Sequence, residues 1–96
     1  MYVGFLEVTI SMEGNRSLKD KRKVVKSILS RVRAKFNASA AEVDLADVHG
    51  SAVLGFSICG GDASLLSSVL DHISNFIEAT VAAEVVDTHA ECLQVS

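Results

Sequence analysis

"NRSLKDKRKVVKSILSRVRAKFN", residues 15–37, decides how this chain is read. Its apolar residues recur as Leu18, Val25, Ile28, Leu29, Val32 and Phe36, the spacing of one face of an α-helix. Ser17 with Asp20 three residues on resembles a capping box, with Asp in the usual place of Glu, and Asn37 is a plausible stop. The spacing therefore predicts a helix from Leu18 to the neighbourhood of Phe36. The same stretch holds all nine lysines and arginines of a 96-residue chain.

Strands flank this helix. Residues 2–12, YVGFLEVTISM, alternate, with Leu6, Val8, Ile10 and Met12 on one face and Phe5, Glu7, Thr9 and Ser11 on the other. Residues 38–46 alternate again and set Val43 and Leu45 opposite Glu42 and Asp44. Asp47 to Gly50 reads as a hairpin loop, and residues 51–59 form a third strand with Ala52, Leu54, Phe56 and Ile58 on its apolar face. Gly60-Gly61-Asp62 opens a second helix, capped by Asp62 or Ser64, whose stripe runs through Leu65, Leu66, Val69, Leu70, Ile73, Phe76 and Ile77. Residues 83–95 form the last strand, around Val85 and Val86.

The order β-α-β-β-α-β points to two interleaved βαβ units, the ferredoxin-like α+β arrangement: a four-stranded antiparallel sheet with both helices on one face. A chain of 96 residues is expected to make a single domain over residues 1–96. The other face of the sheet is left open, carrying Phe5, Glu7, Thr9, Val53, Ser57 and some of Asp87, His89 and Glu91. A face so mixed suits a dimer or ligand surface, so a homodimer through the open sheet or an edge strand is expected.

Composition narrows the function classes. No basic leader precedes the first strand, no apolar run approaches the roughly 20 residues of a membrane span, and two cysteines make no disulfide framework; a cytoplasmic protein with reduced thiols is expected. His49, His72 and His89 with Cys59 and Cys92 match no zinc spacing, so no metal and no cofactor is expected. Cys59 reads as a small core residue, His72 as a surface residue, and Gly60-Gly61-Asp62 as a capped turn rather than a phosphate loop. The acids of the open face define no pocket, and no catalytic constellation is visible; a protein that is not an enzyme is expected.

The charge pattern carries more. The net charge is −3, but residues 16–35 sum to +8 and the remainder to −11. On a helical wheel Lys19, Arg22, Lys23, Lys26 and Arg33 fall on one flank of the apolar stripe, roughly 40° to 140° away, with Arg31 and Lys35 on the other flank. Lys19, Lys21, Arg22 and Lys23 crowd the first two turns, where the helix dipole already disfavours cations by roughly 0.3–1 kcal/mol each. A nearby anion would offset that cost, which makes Arg16, Lys19, Lys21, Arg22, Lys23, Lys26 and Arg33 the candidate anion- or nucleic-acid-binding residues. Two sources compete: acids of the protein itself, such as Glu42, Asp44, Asp47, Asp71, Glu84 or Glu91, and the backbone of a nucleic acid. No aromatic platform or GxxG loop is present, so contact with RNA would be to phosphates, with specificity from shape.

The stretches "RSLKDKRKVVKSILSRVRAKFNASAAEVD" and "VGFLEV" resemble the YlxP-like proteins, small bacterial proteins of unassigned function. The likeness runs from Val3 to about Glu91. Its most specific parts are the Ser-Leu-Lys-x-Lys-Arg start and the Lys-Phe-Asn-x-Ser-x-Ala-Glu-Val-Asp end. The resemblance implies a ferredoxin-like fold, a tendency to dimerise, and an association with RNA or the ribosome suggested by gene neighbourhood. It implies no catalytic residues. This chain departs from the family at Asp47-Val48-His49-Gly50, where members often carry an aromatic residue after the aspartate.

Together these readings favour a non-enzymatic binding protein, RNA- or ribosome-associated through its basic first helix. The alternatives are an interaction module whose basic helix pairs with an acidic partner or subunit, and a small-ligand regulatory domain of the kind this fold sometimes supplies.

Overall fold

The computed structural model describes residues 1–12, 14, 17–80 and 83–95. Six elements follow one another: β1 (Tyr2–Ser11), α1 (Leu18–Lys35), β2 (Ser39–Asp44), β3 (Ser51–Gly60), α2 (Ala63–Glu78) and β4 (Glu84–Gln94). The strands form one sheet in the order β2-β3-β1-β4, every neighbour antiparallel. This is the ferredoxin-like arrangement that the sequence order implies, with long central strands and β2 and β4 as edges.

Alternation puts Leu6, Val8 and Ile10 of β1 and Ala52, Leu54, Phe56 and Ile58 of β3 under the helices, all buried. They meet Val25, Ile28, Leu29 and Val32 of α1 and Leu66, Leu70, Ile73 and Ile77 of α2. Full burial of one such side chain contributes roughly 1.5–3 kcal/mol, so this two-layer core outweighs any polar contact described below. At their C-terminal ends the helices touch through Phe36 and Phe76, edge to face with centroids 5.8 Å apart.

Both caps form. The Asp20 amide donates to Ser17 Oγ at 3.2 Å, and the amides of Ser64 and Leu65 donate to Asp62 Oδ1 at 2.9 and 3.2 Å. The register also places Phe5, Glu7 and Thr9 opposite Glu91, His89 and Asp87 on the open face, as the alternation implies.

Three expectations are corrected. β2 keeps its alternation from Ala40, opposite Phe56 under the helices, through Ala41 opposite Gly55 to Glu42 opposite Leu54. Glu42 therefore faces the helices and Val43 the open face, the reverse of the apolar-inward expectation; the extra residue comes after Glu42, before the pair Asp44–Val53. There Val43 lies over Gly55, where a Cβ would come within 2.7 Å of Val43 Cγ1; glycine is required by that close approach. Cys59 is exposed at the end of β3 rather than in the core. Leu65 faces solvent at 62% exposure because it sits at the outer margin of the α2 stripe.

Candidate nucleic-acid interface

Helix α1 sorts its cations by direction. Lys21 stands four residues before Val25 and seven before Ile28, so it shares their face and is carried into the protein, 1% exposed. Its ammonium donates to the Leu45 carbonyl and, at 3.2 Å, to the Ala46 carbonyl. Glu42 Oε2 lies 3.0 Å from Lys21 Nζ. That oxygen makes no aligned hydrogen bond, so the contact with Glu42 is an ion pair while the two carbonyls take the directed bonds.

The segment that receives Lys21 is strained. Leu45 has φ 61°, a left-handed conformation rarely adopted by a branched residue. Asp44 Oδ1 accepts from the Leu45 amide at 2.8 Å, which supports the turn from one side while Lys21 holds its carbonyl from the other. Glu42, on the inward face of β2 with Ala40, supplies the counter-charge. A lysine of the expected anion stripe is thus a clamp between the start of α1 and the end of β2.

The other candidates point elsewhere. Lys19, Arg22, Lys23 and Lys26 are exposed along one flank, where Lys19 is three and four positions from Arg22 and Lys23, and Lys26 is four and three from the same two, a spacing that sets Cβ atoms about 5–6 Å apart. Among the described residues no carboxylate is within ion-pair reach of them. Arg33, further along, also donates through Nη2 to the Ala40 carbonyl, which ties its head to β2. Lys35 Nζ stands 4.8 Å from the centre of the Phe76 ring, a cation–π contact. Arg16 lies outside the described residues.

The acids considered as internal partners therefore divide sharply. Glu42 reaches a cation, and among the described residues Asp44, Asp47, Asp71, Glu84 and Glu91 reach no lysine or arginine. Self-neutralisation accounts for Lys21 and leaves the outer flank of α1 unmatched. The clamp was legible in principle, because Lys21 sits at the i, i+4, i+7 and i+11 spacing of Val25, Ile28 and Val32.

The sheet's open face holds a shallow hollow of about 290 Å³ around Phe5, Val43 and Gly55. The Phe5 and His89 rings stand 5.6 Å apart, and His89 Nε2 lies 3.2 Å from Glu91 Oε2. Among the described residues no group of three or more His, Cys, Asp or Glu side chains could hold a metal ion, and no helix is long and apolar enough to cross a membrane.

A ferredoxin-like domain with an unpaired cationic helix face is the class that fold and site define. Residues 3–90 match the family described as "Protein of unknown function (DUF503)", and the chain belongs to that family. It is 30% identical over 89 residues to the uncharacterized protein YlxP of Bacillus subtilis (strain 168), covering 93% of this chain and 97% of that protein. The likeness to YlxP-like proteins thus extends over nearly the whole chain. It assigns no activity and no binding partner.

Proposed function

We propose that the protein binds RNA, without catalysis, by laying the outer flank of α1 against the phosphate backbone. One observation carries this reading: Lys19, Arg22, Lys23 and Lys26 are exposed along one flank with no carboxylate in reach among the described residues, and Lys19 stands in the first turn, where the helix dipole opposes it. A polyanion removes both costs at once, replacing condensed counterions on its own backbone as it does so. Arg33, tethered to the Ala40 carbonyl, marks the far end of the stripe. Lys21 contributes indirectly, by fixing the helix start that presents the others. Contacts of this kind position a nucleic acid without reading its bases, so selectivity rests on shape. In this reading the protein works in the cytoplasm as a homodimer on ribosomal or other RNA, and sedimentation equilibrium checks the dimer.

The test is a salt titration of binding to a labelled RNA hairpin. Affinity is expected to fall steeply as salt rises, with the slope reduced by about one for each stripe cation removed. The triple variant K19E/R22E/K26E is expected to lose retention while keeping its fold. Affinity that stays flat with salt, or a triple variant that binds as well as the parent, overturns the proposal. Loss of the dimer in that variant, from a parent that never held RNA, would assign the stripe to an acidic subunit or partner instead.

A further inference from the structure

The opposite edge of the molecule has the complementary character. β4 is an 11-residue edge strand paired on one side with β1. Sheet edges are ordinarily blunted by lysine, proline, brevity or a covering element. β4 is long, it lacks lysine, arginine and proline, no element among the described residues pairs with its outer edge, and its one irregularity, the extra Val86 opposite the Thr9/Ile10 step, sits near its start. Thr88 and Ala90 face the helix layer, in line with Val8 and Leu6, yet both are exposed. Helix α2 therefore stops short of the edge, and a groove of about 370 Å³ runs between them, lined by Ala63, Ser67, Leu70 and Asp71 on the helix and Ala90 and Cys92 on the strand. On the other face of β4, Asp87, His89, Glu91 and Leu93 stand in a row, with Leu93 51% exposed.

Charge selects the occupant. No lysine or arginine follows Lys35 in the sequence, so among the described residues Glu84 and Asp87 on β4 and Asp71 on the groove wall meet no cation, and Glu91 meets only the His89 imidazole, Nε2 to Oε2 at 3.2 Å. A second copy of β4 would bring a second set of the same acids to the edge, and like charges across a strand pair destabilise it. We infer that β4 receives an extended basic segment of a partner protein as a fifth strand, its backbone on the open edge of β4. Its lysines or arginines would lie beside Asp87 and Glu91, and its small apolar residues in the groove under α2. Main-chain bonds supply affinity in such strand addition, and the alternating side chains supply selection. The inference uses none of the cations of α1 and stands or falls apart from the RNA reading.

Fluorescence anisotropy with a labelled alternating Lys-Val peptide tests it, beside the same peptide N-methylated at alternate residues, which keeps the charge and loses backbone donors. The parent peptide is expected to bind and to slow amide exchange along β4. The methylated one is expected to bind at least about tenfold more weakly, as is the parent peptide to D87K/E91K, a variant changed at two exposed positions whose far-UV circular dichroism stays the same. Equal binding of the methylated peptide reduces the effect to general charge attraction, and affinity unchanged in D87K/E91K places the peptide away from this edge; either overturns the inference. So does failure of the parent peptide to bind, and so does slow, concentration-dependent exchange along β4 in the free protein, which would place a second copy on that edge.

Discussion

The two sides of helix α1 treat the same chemistry in opposite ways. On the inner side Lys21 is desolvated, held by two carbonyls and paired with Glu42. On the outer side Lys19, Arg22, Lys23 and Lys26 remain in solvent with no acid beside them among the described residues. Lysines two residues apart on a helix lie nearly 200° around the axis from each other, so their neighbours in sequence do not share their fate. The lesson is that a run of basic residues is not one object. The inner cation belongs to stability, where removing it strands buried oxygens, and the outer ones belong to whatever meets the surface.

The largest effect is expected on the inner side. Lys21→Ala leaves the Leu45 and Ala46 carbonyls and the Glu42 carboxylate without their cation. It is expected to lower stability by about 3 kcal/mol, the low end for a broken buried pair because Glu42 keeps some solvent contact, as urea unfolding would show. Lys23→Ala, two positions along, is expected to stay within about 0.5 kcal/mol, and equal losses in the two variants would erase the distinction between the sides. Replacing both partners sharpens the point. The double variant K21M/E42L is expected to be more stable than Lys21→Ala, because no charge is left buried and unpaired, and a double-mutant cycle measures the coupling. Ser17→Ala removes the cap from which both faces start, with an expected loss of about 1 kcal/mol in the same assay. Smallest of all, Lys19→Glu is expected to raise stability by a few tenths of a kcal/mol while weakening RNA binding, since an acid suits the first turn better than a cation does, and Lys23→Glu, beyond that turn, is expected to weaken RNA binding with stability about unchanged. A loss of stability in those two variants would mean the outer cations do serve the fold.

The element order and both caps follow from spacing that needs no tertiary information. Leu6, Val8 and Ile10 repeat every second residue, while Val25, Ile28, Leu29 and Val32 repeat every third or fourth. The second cap was legible as Asp62 or Ser64, and the structure selects Asp62. Val43 and Glu42 were misassigned because the apolar residue was read as the inner one; counting by twos from buried Ala40 places Glu42 inward, and an inward carboxylate makes sense only once Lys21 is known to meet it. Lys21 was hidden by its charge: its position on the apolar face was written in the sequence, but a lysine at such a place is read as solvated until a receiving group is known. That group is a pair of carbonyls beside a left-handed leucine, which residue identities do not announce. Cys59 and Leu65 failed for a simpler reason, since both lie where an apolar stripe runs out at the end or margin of its element. The outer flank of α1 was legible in full, because exposed cations at helical spacing depend on nothing beyond the helix itself. The open β4 edge was not, because it depends on how far α2 reaches.

Confinement of every lysine and arginine to residues 16–35 also makes the molecule an unusual substrate for trypsin. No cleavage site lies anywhere from Phe36 to Ser96. Digestion of the native protein can therefore begin only at Arg16 or within α1, and cleavage at the sites within α1 requires that element to open. Lysine-directed labels share the restriction. Reagents that report on the sheet, and on β4 above all, have to be aimed at carboxylates, histidine or thiols.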